Sequence, residues 1–205
     1  MKNTLISKDW NKAKEYLKNN KIIIAPTDTL YGILGNALNK TVVEYIYQIK
    51  KRKPEKPYII LIPDTEFLSI FGISPSKEEK KVLEKTGITV VIDLPSKYKE
   101  KFHYLHRGQK SLAFRIPAKR KLLNLLKDLK KPLVAPSANP EGEPPAKNIQ
   151  EAINYFGNKV DLYIDEGEIK NKNPSTIIKF VEGKPIVLRK GNISISHINH
   201  ILQIK

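Results

Sequence analysis

Four polar clusters, each abutting a run of apolar residues, hold the side chains best suited to chemistry. The first, Pro26-Thr27-Asp28-Thr29-Leu30-Tyr31-Gly32, places hydroxyls and a carboxylate directly after an apolar run. Hydroxyls there can bind a ligand at the carboxyl edge of a sheet, where open α/β folds receive one. The same residue types also build turns through local side-chain bonds. The second, Lys50-Lys51-Arg52-Lys53-Pro54-Glu55-Lys56-Pro57, sets Lys50, Arg52 and Lys56 where a helix is leaving. A helix C-terminus attracts cations by itself. Converging cations also suit a triphosphate, with Arg as a fork and Lys as a point charge. The third, Ala135-Pro136-Ser137-Ala138-Asn139-Pro140, offers the Ser137 hydroxyl and the Asn139 amide on a loop stiffened by two prolines. In the fourth, Pro174-Ser175-Thr176 and Arg189-Lys190-Gly191 bracket another apolar stretch. Such loops predict one shared, concave, anion-accepting site rather than unrelated turns.

The elements that must position these clusters follow from hydrophobic period. Short β-branched runs at 22–25, 58–62, 88–93, 111–116, 133–135, 161–164, 176–181 and 185–188 read as strands. Helical spacing of apolar residues predicts helices over 41–50, 119–129 and 148–156, with a short closing helix over 196–204. Ser76 and Glu79 have the form of a capping box before Val82 and Leu83. Strands interspersed with helices predict an α/β domain around a twisted, open, mixed sheet with flanking helices, a single domain over residues 1–205.

Composition then removes alternatives. The 205 residues contain no cysteine, which excludes disulfides, thiolate zinc fingers, iron–sulfur clusters and cysteine nucleophiles. Neither Gly-x-Gly-x-x-Gly nor Gly-x-x-x-x-Gly-Lys-Ser/Thr occurs, and Tyr31-Gly32-Ile33-Leu34-Gly35 is too sparse in glycine to replace them. No Gly-x-Ser-x-Gly elbow is present. The pairs His103/His106 and His197/His200 lack a carboxylate in ligand spacing and read as surface or packing residues, so no protein-held metal is expected. The N-terminus has no apolar core region and no run is long enough to span a bilayer, so a soluble, cytoplasmic protein is expected. The formal net charge of +16 predicts polyanionic partners. Twelve cations against Glu100 and Asp128 crowd residues 97–131, either as a solvated face or as a surface for RNA.

In this order and spacing, Pro26–Gly32, Lys50-x-Arg52-x-x-x-Lys56-Pro57, Leu112-Ala113-Phe114-Arg115-Ile116-Pro117, Ala135–Asn139, Ser175-Thr176-Ile177-Ile178 and Leu188-Arg189-Lys190-Gly191 resemble the YrdC/Sua5/YciO family over about residues 9–201. The resemblance implies a twisted open α/β sheet with a large basic cavity. It also implies synthesis of L-threonylcarbamoyl-adenylate and pyrophosphate from L-threonine, bicarbonate and ATP. That product feeds N6-threonylcarbamoyladenosine formation in tRNA, through separate threonylcarbamoyl-transferase proteins. By position, it assigns Thr27, Arg115 and Ser175 to threonine. It assigns Lys50, Arg52, Lys56, Thr89, Ser137, Asn139 and Arg189 to the nucleotide, with Lys50 and Arg52 as the catalytic pair. Mg²⁺ is expected to arrive on ATP, and Asp28, the nearest acid, fits turn capping better than a metal cage. The alternative within the family is a non-catalytic protein that binds double-stranded RNA or tRNA.

Departures from the family pattern are local. Glu84-Lys85-Thr86-Gly87-Ile88 stands where many members carry Trp-Pro-Gly-Pro, and Leu61 where long Sua5 forms carry histidine. Pro144-Pro145 replaces a Pro-Ser pair and removes a hydroxyl suited to nucleotide. The extra C-terminal domain of long Sua5 forms is not expected after Gly191.

Overall fold

Strands that are apolar at consecutive positions need cover on both faces. The computed structural model, which describes residues 4–85, 87–169 and 173–203, supplies it. The first half of the chain forms β1 (Ile6–Ser7), α1 (Trp10–Lys18), β2 (Ile23–Pro26), β3 (Tyr31–Asn36), α2 (Lys40–Lys50), β4 (Ile59–Leu61), a 3-10 segment (Thr65–Phe71), α3 (Lys77–Leu83) and β5 (Thr89–Asp93). The second half adds α4 (Ser96–Lys99), α5 (His103–His106), β6 (Ser111–Arg115), α6 (Arg120–Leu129), β7 (Leu133–Val134), α7 (Ile149–Phe156), β8 (Leu162–Ile164), β9 (Ile177–Val181), β10 (Lys184–Arg189) and α8 (Ile195–Leu202). The strands make one mixed sheet in the order β1-β8-β2-β3-β7-β4-β6-β5-β9-β10.

Alternation along each strand sorts the core into two layers. Ile24, Ile33, Ile60, Val90, Phe114, Val134, Tyr163 and Ile178 turn to one face, packed with Val42, Val82, Leu105, Ala152 and Ile198 of the helices on that side. Ile23, Ala25, Leu34, Leu61, Leu133, Leu162 and Ile164 turn to the other, under Ala13 and Leu17 of α1 and Leu122, Leu125, Leu126 and Leu129 of α6. This second layer of helices reaches only as far as Leu61 of β4. Beyond it, the same face of β6, β5 and β9 floors a cavity.

All eight expected strands are present, with ends moved by a residue or two. The helices expected over 41–50, 119–129 and 148–156 are α2, α6 and α7. The closing helix is α8; its expected end at Ile204 lies outside the described residues, as does Thr86. The capping box forms: the Ser76 hydroxyl accepts from Glu79 N at 3.1 Å and the Glu79 carboxylate from Ser76 N at 2.8 Å.

Two strands, the helix α1, the short helices α4 and α5 and the 3-10 segment were not expected. β1 has two residues, and α1 has few apolar positions among its lysines. β3 is masked by Gly32 and Gly35, which packing requires to be small. A Cβ on Gly35 would lie 2.6 Å from Val42 Cγ1 and 2.7 Å from Ile46 Cδ1, so α2 rests directly on the strand.

The cation-rich stretch 97–131 does not form one face. It passes through the sheet as β6, so α4 and α5 carry their cations on one side and α6 on the other. Both ring nitrogens of His106 are engaged: Nδ1 accepts from Gly108 N at 3.0 Å, leaving Nε2 to donate to the Lys99 carbonyl at 2.9 Å.

Candidate active site

Register across the uncovered half of the sheet builds the floor. Leu61 lies opposite Arg115, Arg115 opposite Thr89, and Thr89 opposite Ile177, one row across four strands. Ile59, Ala113 and Val91 form the next row. Above them is a cavity of about 740 Å³, walled by the turn after β2, the loop after β7, the lead-in to β9 and the end of β10.

The turn after β2 is organised by Thr27. Its hydroxyl accepts from Thr29 N and Leu30 N, each at 3.1 Å, and donates to the Leu30 carbonyl at 2.7 Å. That folding presents Asp28 to Arg115: Oδ2 meets Nη2 at 2.5 Å and accepts from Ala118 N at 2.9 Å. Arg115 is 4% exposed and its Nε has no hydrogen-bond partner. The loop after β7 is drawn in beside β3, with Ile33 N donating to the Pro136 carbonyl and Ala138 N to that of Tyr31, each at 2.8 Å. This brings Ser137 to the wall.

On the opposite side the Arg189 guanidinium grips Ser175, donating to its carbonyl at 2.9 and 3.2 Å and to its hydroxyl at 3.1 Å. The Ser175 hydroxyl also shares a 2.8 Å bond with that of Thr89. Gly191 permits this closeness, since a Cβ there would sit 2.3 Å from the Pro174 carbonyl oxygen. Burial, then the charges of Arg115 and Arg52, push the Arg189 pKa down. The lining holds Arg52, Arg115 and Arg189 against one carboxylate, Asp28.

Six of the residues assigned from sequence therefore line one cavity: Thr27, Arg52, Arg115, Ser137, Ser175 and Arg189. Lys50, Lys56, Thr89 and Asn139 stand outside the wall. Lys50 is 1% exposed and donates to the carbonyls of Ser137, at 2.5 Å, and of Asn139. Burial first, and then the Arg52 charge, lower its pKa to about 7 against the opposing pull of Glu141. Lys56 is exposed and paired with Glu141 at 2.5 Å, whose other oxygen accepts from Lys53 N. Thr89 is buried beneath Ser175, and the Asn139 amide donates to the carbonyls of Pro140 and Glu143. These contacts place Lys50 and Lys56 as fasteners between the basic loop and the Ser137 loop, and the Asn139 amide as a brace within the latter.

Sequence reasoning did not assign cavity positions to Tyr58, Gln109 and Ser111, nor the Arg115 pairing to Asp28. Period-two alternation within strands 58–62 and 111–116 could have grouped Ile59 with Leu61, and Ser111 with Ala113 and Arg115. Among the described residues no cluster of three or more His, Asp or Glu side chains could hold a metal ion. No described helix is long and apolar enough to cross a membrane.

The class is an α/β fold whose mixed sheet carries, at its open half, a cavity with three arginines in its described wall. The chain belongs to the Sua5/YciO/YrdC family, whose model, described as telomere recombination, matches residues 15–191. It is 29% identical over 194 residues to the threonylcarbamoyl-AMP synthase of Pyrococcus abyssi, covering 93% of this chain and 56% of that one. A putative threonylcarbamoyl-AMP synthase of Methanocaldococcus jannaschii is 31% identical over 206 residues, covering 95% of this chain and 93% of that one. The chain thus spans about half the length of the Pyrococcus relative and nearly all of the Methanocaldococcus one. The structure of Pyrococcus abyssi Sua5 complexed with L-threonine superposes with a TM-score of 0.84 at 26% identity, over 98% of this chain and 60% of that one.

Proposed function

We propose that residues 1–205 act as one domain that makes L-threonylcarbamoyl-adenylate and pyrophosphate from L-threonine, bicarbonate and ATP. The observation that carries this reading is the convergence of Thr27, Arg52, Arg115, Ser137, Ser175 and Arg189 on one cavity. They come from six separate segments, in a family with relatives named for this activity.

The chemistry joins anions. The threonine amine adds to the carbon of bicarbonate or CO₂, forming a C–N bond with net loss of water or a proton. A carbamate oxygen then attacks the α-phosphorus of ATP, and the bond to the β-phosphate oxygen breaks to release pyrophosphate. No protein nucleophile is required. The barrier lies in bringing negative groups together, and fixed cations lower it by positioning and electrostatic stabilisation. Three guanidinium groups facing one cavity repel one another, and an anion between them relieves that repulsion. In this reading Arg115, Thr27 and Ser175 take the amino acid, while Arg52, Arg189 and Ser137 take the phosphates. Lys50, Lys56, Asn139 and Thr89 support those groups from behind.

The one carboxylate among the described residues of the cavity wall is held by Arg115 and Ala118 N. Mg²⁺ would travel on the ATP phosphates and water. The product would pass, in the cytoplasm, to separate transferases that modify tRNA.

The test is pyrophosphate release by the purified chain with ATP, bicarbonate and L-threonine. Release should require all three, and Arg52→Ala should lower it by about 10²–10³-fold, the scale for removing one preorganised charge donor. Equal release with and without threonine would sink the reading.

A further inference from the structure

Arg52 reaches the cavity wall from a loop, yet it is not left to its own rotamers. Its Cζ lies 5.2 Å from the centroid of the Tyr58 ring. Tyr58 stacks on Tyr47 of α2, centroids 4.2 Å apart and planes inclined by 26°. On the far side of Tyr47 lies Arg107, its Cζ 3.8 Å from that centroid. Arg107 is the left-handed residue that closes α5, and Glu44 of α2 pairs with it at 3.0 Å. The four side chains thus form a column, Arg52–Tyr58–Tyr47–Arg107, running from the cavity to the opposite surface of α2. The Lys56 carbonyl ties its members together, accepting from the Tyr47 hydroxyl at 2.8 Å and from Arg52 Nε at 3.1 Å.

We propose that Tyr58 and Tyr47, backed by Arg107, are positioning residues that hold the Arg52 guanidinium in the orientation needed to bind an anionic phosphate ligand. The inference rests on the reading of Arg52 as a phosphate-binding group and adds what aims it. A cation is attracted to the negative face of an aromatic ring, and offset-stacked rings hold each other in register. An arginine otherwise loses much rotamer freedom on binding, so a side chain already oriented binds more tightly. The ring of Tyr58, not its hydroxyl, supplies the platform. That hydroxyl is buried and makes no hydrogen bond in the structure, so removing it leaves the column intact.

Calorimetric titration with ATP and, separately, with inorganic pyrophosphate tests the column without requiring turnover. Tyr58→Phe should bind both as the wild type does. Tyr58→Leu should weaken both by about tenfold, the scale of a partly desolvated cation–π contact, while threonine affinity stays unchanged. Arg52→Ala should weaken phosphate binding further, and adding Tyr58→Leu to it should cost nothing more, because the ring acts through the guanidinium. Arg107→Met, at the end of the column away from the cavity, should weaken ATP a few-fold, while threonine affinity stays unchanged. If the wild type binds neither ATP nor pyrophosphate, the proposed function falls. If it binds both, but Tyr58→Leu and Arg107→Met bind equally well, the column is refuted. It is equally refuted if Tyr58→Leu costs as much in the Arg52→Ala background.

Discussion

Lys50 is an ammonium group sealed in the protein with carbonyls, not carboxylates, for company, and Lys50→Met isolates what that costs. Methionine keeps most of the apolar stem and removes the charge. The folded-state pKa is about 7, against 10.5 for an ordinary lysine, with burial the main cause. Above about pH 10.5 the group is neutral whether folded or unfolded, and its titration contributes nothing against folding. As pH falls, the unfolded chain takes up the proton first, so the folded state loses ground until both are charged below about pH 7. At 1.36 kcal/mol per pKa unit the whole effect is about 5 kcal/mol, of which about 2–3 kcal/mol falls between roughly pH 6 and pH 9. Wild type should therefore gain about 2–3 kcal/mol relative to Lys50→Met over that interval, or about 5–10 °C in melting temperature for a chain of this size. Urea melts of both proteins at three pH values measure it. The constant part of the difference reports the carbonyls of Ser137 and Asn139 left without a donor, at about 1–3 kcal/mol each. A stability difference that is flat from pH 6 to 9 would refute the buried, depressed ammonium. So would one that moves in wild type's disfavour as pH rises.

Two further outcomes follow from local geometry. Gly191→Ala puts a Cβ 2.3–2.4 Å from backbone atoms of Pro174, Ser175 and Thr176. It should cost at least about 2 kcal/mol in thermal stability and also weaken ligand binding, because the displaced backbone includes the Ser175 carbonyl that Arg189 holds; an unchanged melting temperature would contradict the close approach. Ser76→Ala removes the N-cap of α3 and should cost about 1 kcal/mol in urea midpoint, with an unchanged m-value and unchanged pyrophosphate release.

The strands and most of the helices were legible because they are buried on a fixed period: Ile23 and Ile24 face different layers, and Leu122, Leu125, Leu126 and Leu129 share one stripe. β3 was not, because Gly32 and Gly35 dilute its pattern for the sake of close packing. The cavity residues were named from short motifs, but a motif does not fix direction. Lys50 is the last residue of α2 and turns inward with Ile46 and Ile49. Lys51 then adopts a left-handed conformation, φ 51°, and redirects the chain, so Arg52 emerges toward the cavity. Two cations separated by one residue thereby receive opposite environments. Which face of the sheet stays open was also hidden, since it depends on how far α1 and α6 reach across strands distant in sequence.

The split between Lys50 and Arg52 bears on why the cations described in the cavity wall are arginines. The chain has 37 Lys and Arg residues, yet among the described residues the lining contains Arg52, Arg115 and Arg189 and no lysine. A half-enclosed wall that also concentrates positive charge penalises every cation in it, through lost hydration and through its neighbours. Lysine yields to that penalty: Lys50, a few residues behind the wall, is already brought to about 7. Arginine starts so high that the same push leaves it charged at neutral pH, as the lowered but still cationic Arg189 illustrates. Outside the cavity Lys119 and Lys121 clamp Glu166, each at 2.7 Å, and Lys56 pairs with Glu141. Net charge thus says little about the site. In the proposed function, what suits the site to anions is the placement in a half-enclosed wall of the side chain that keeps its proton there.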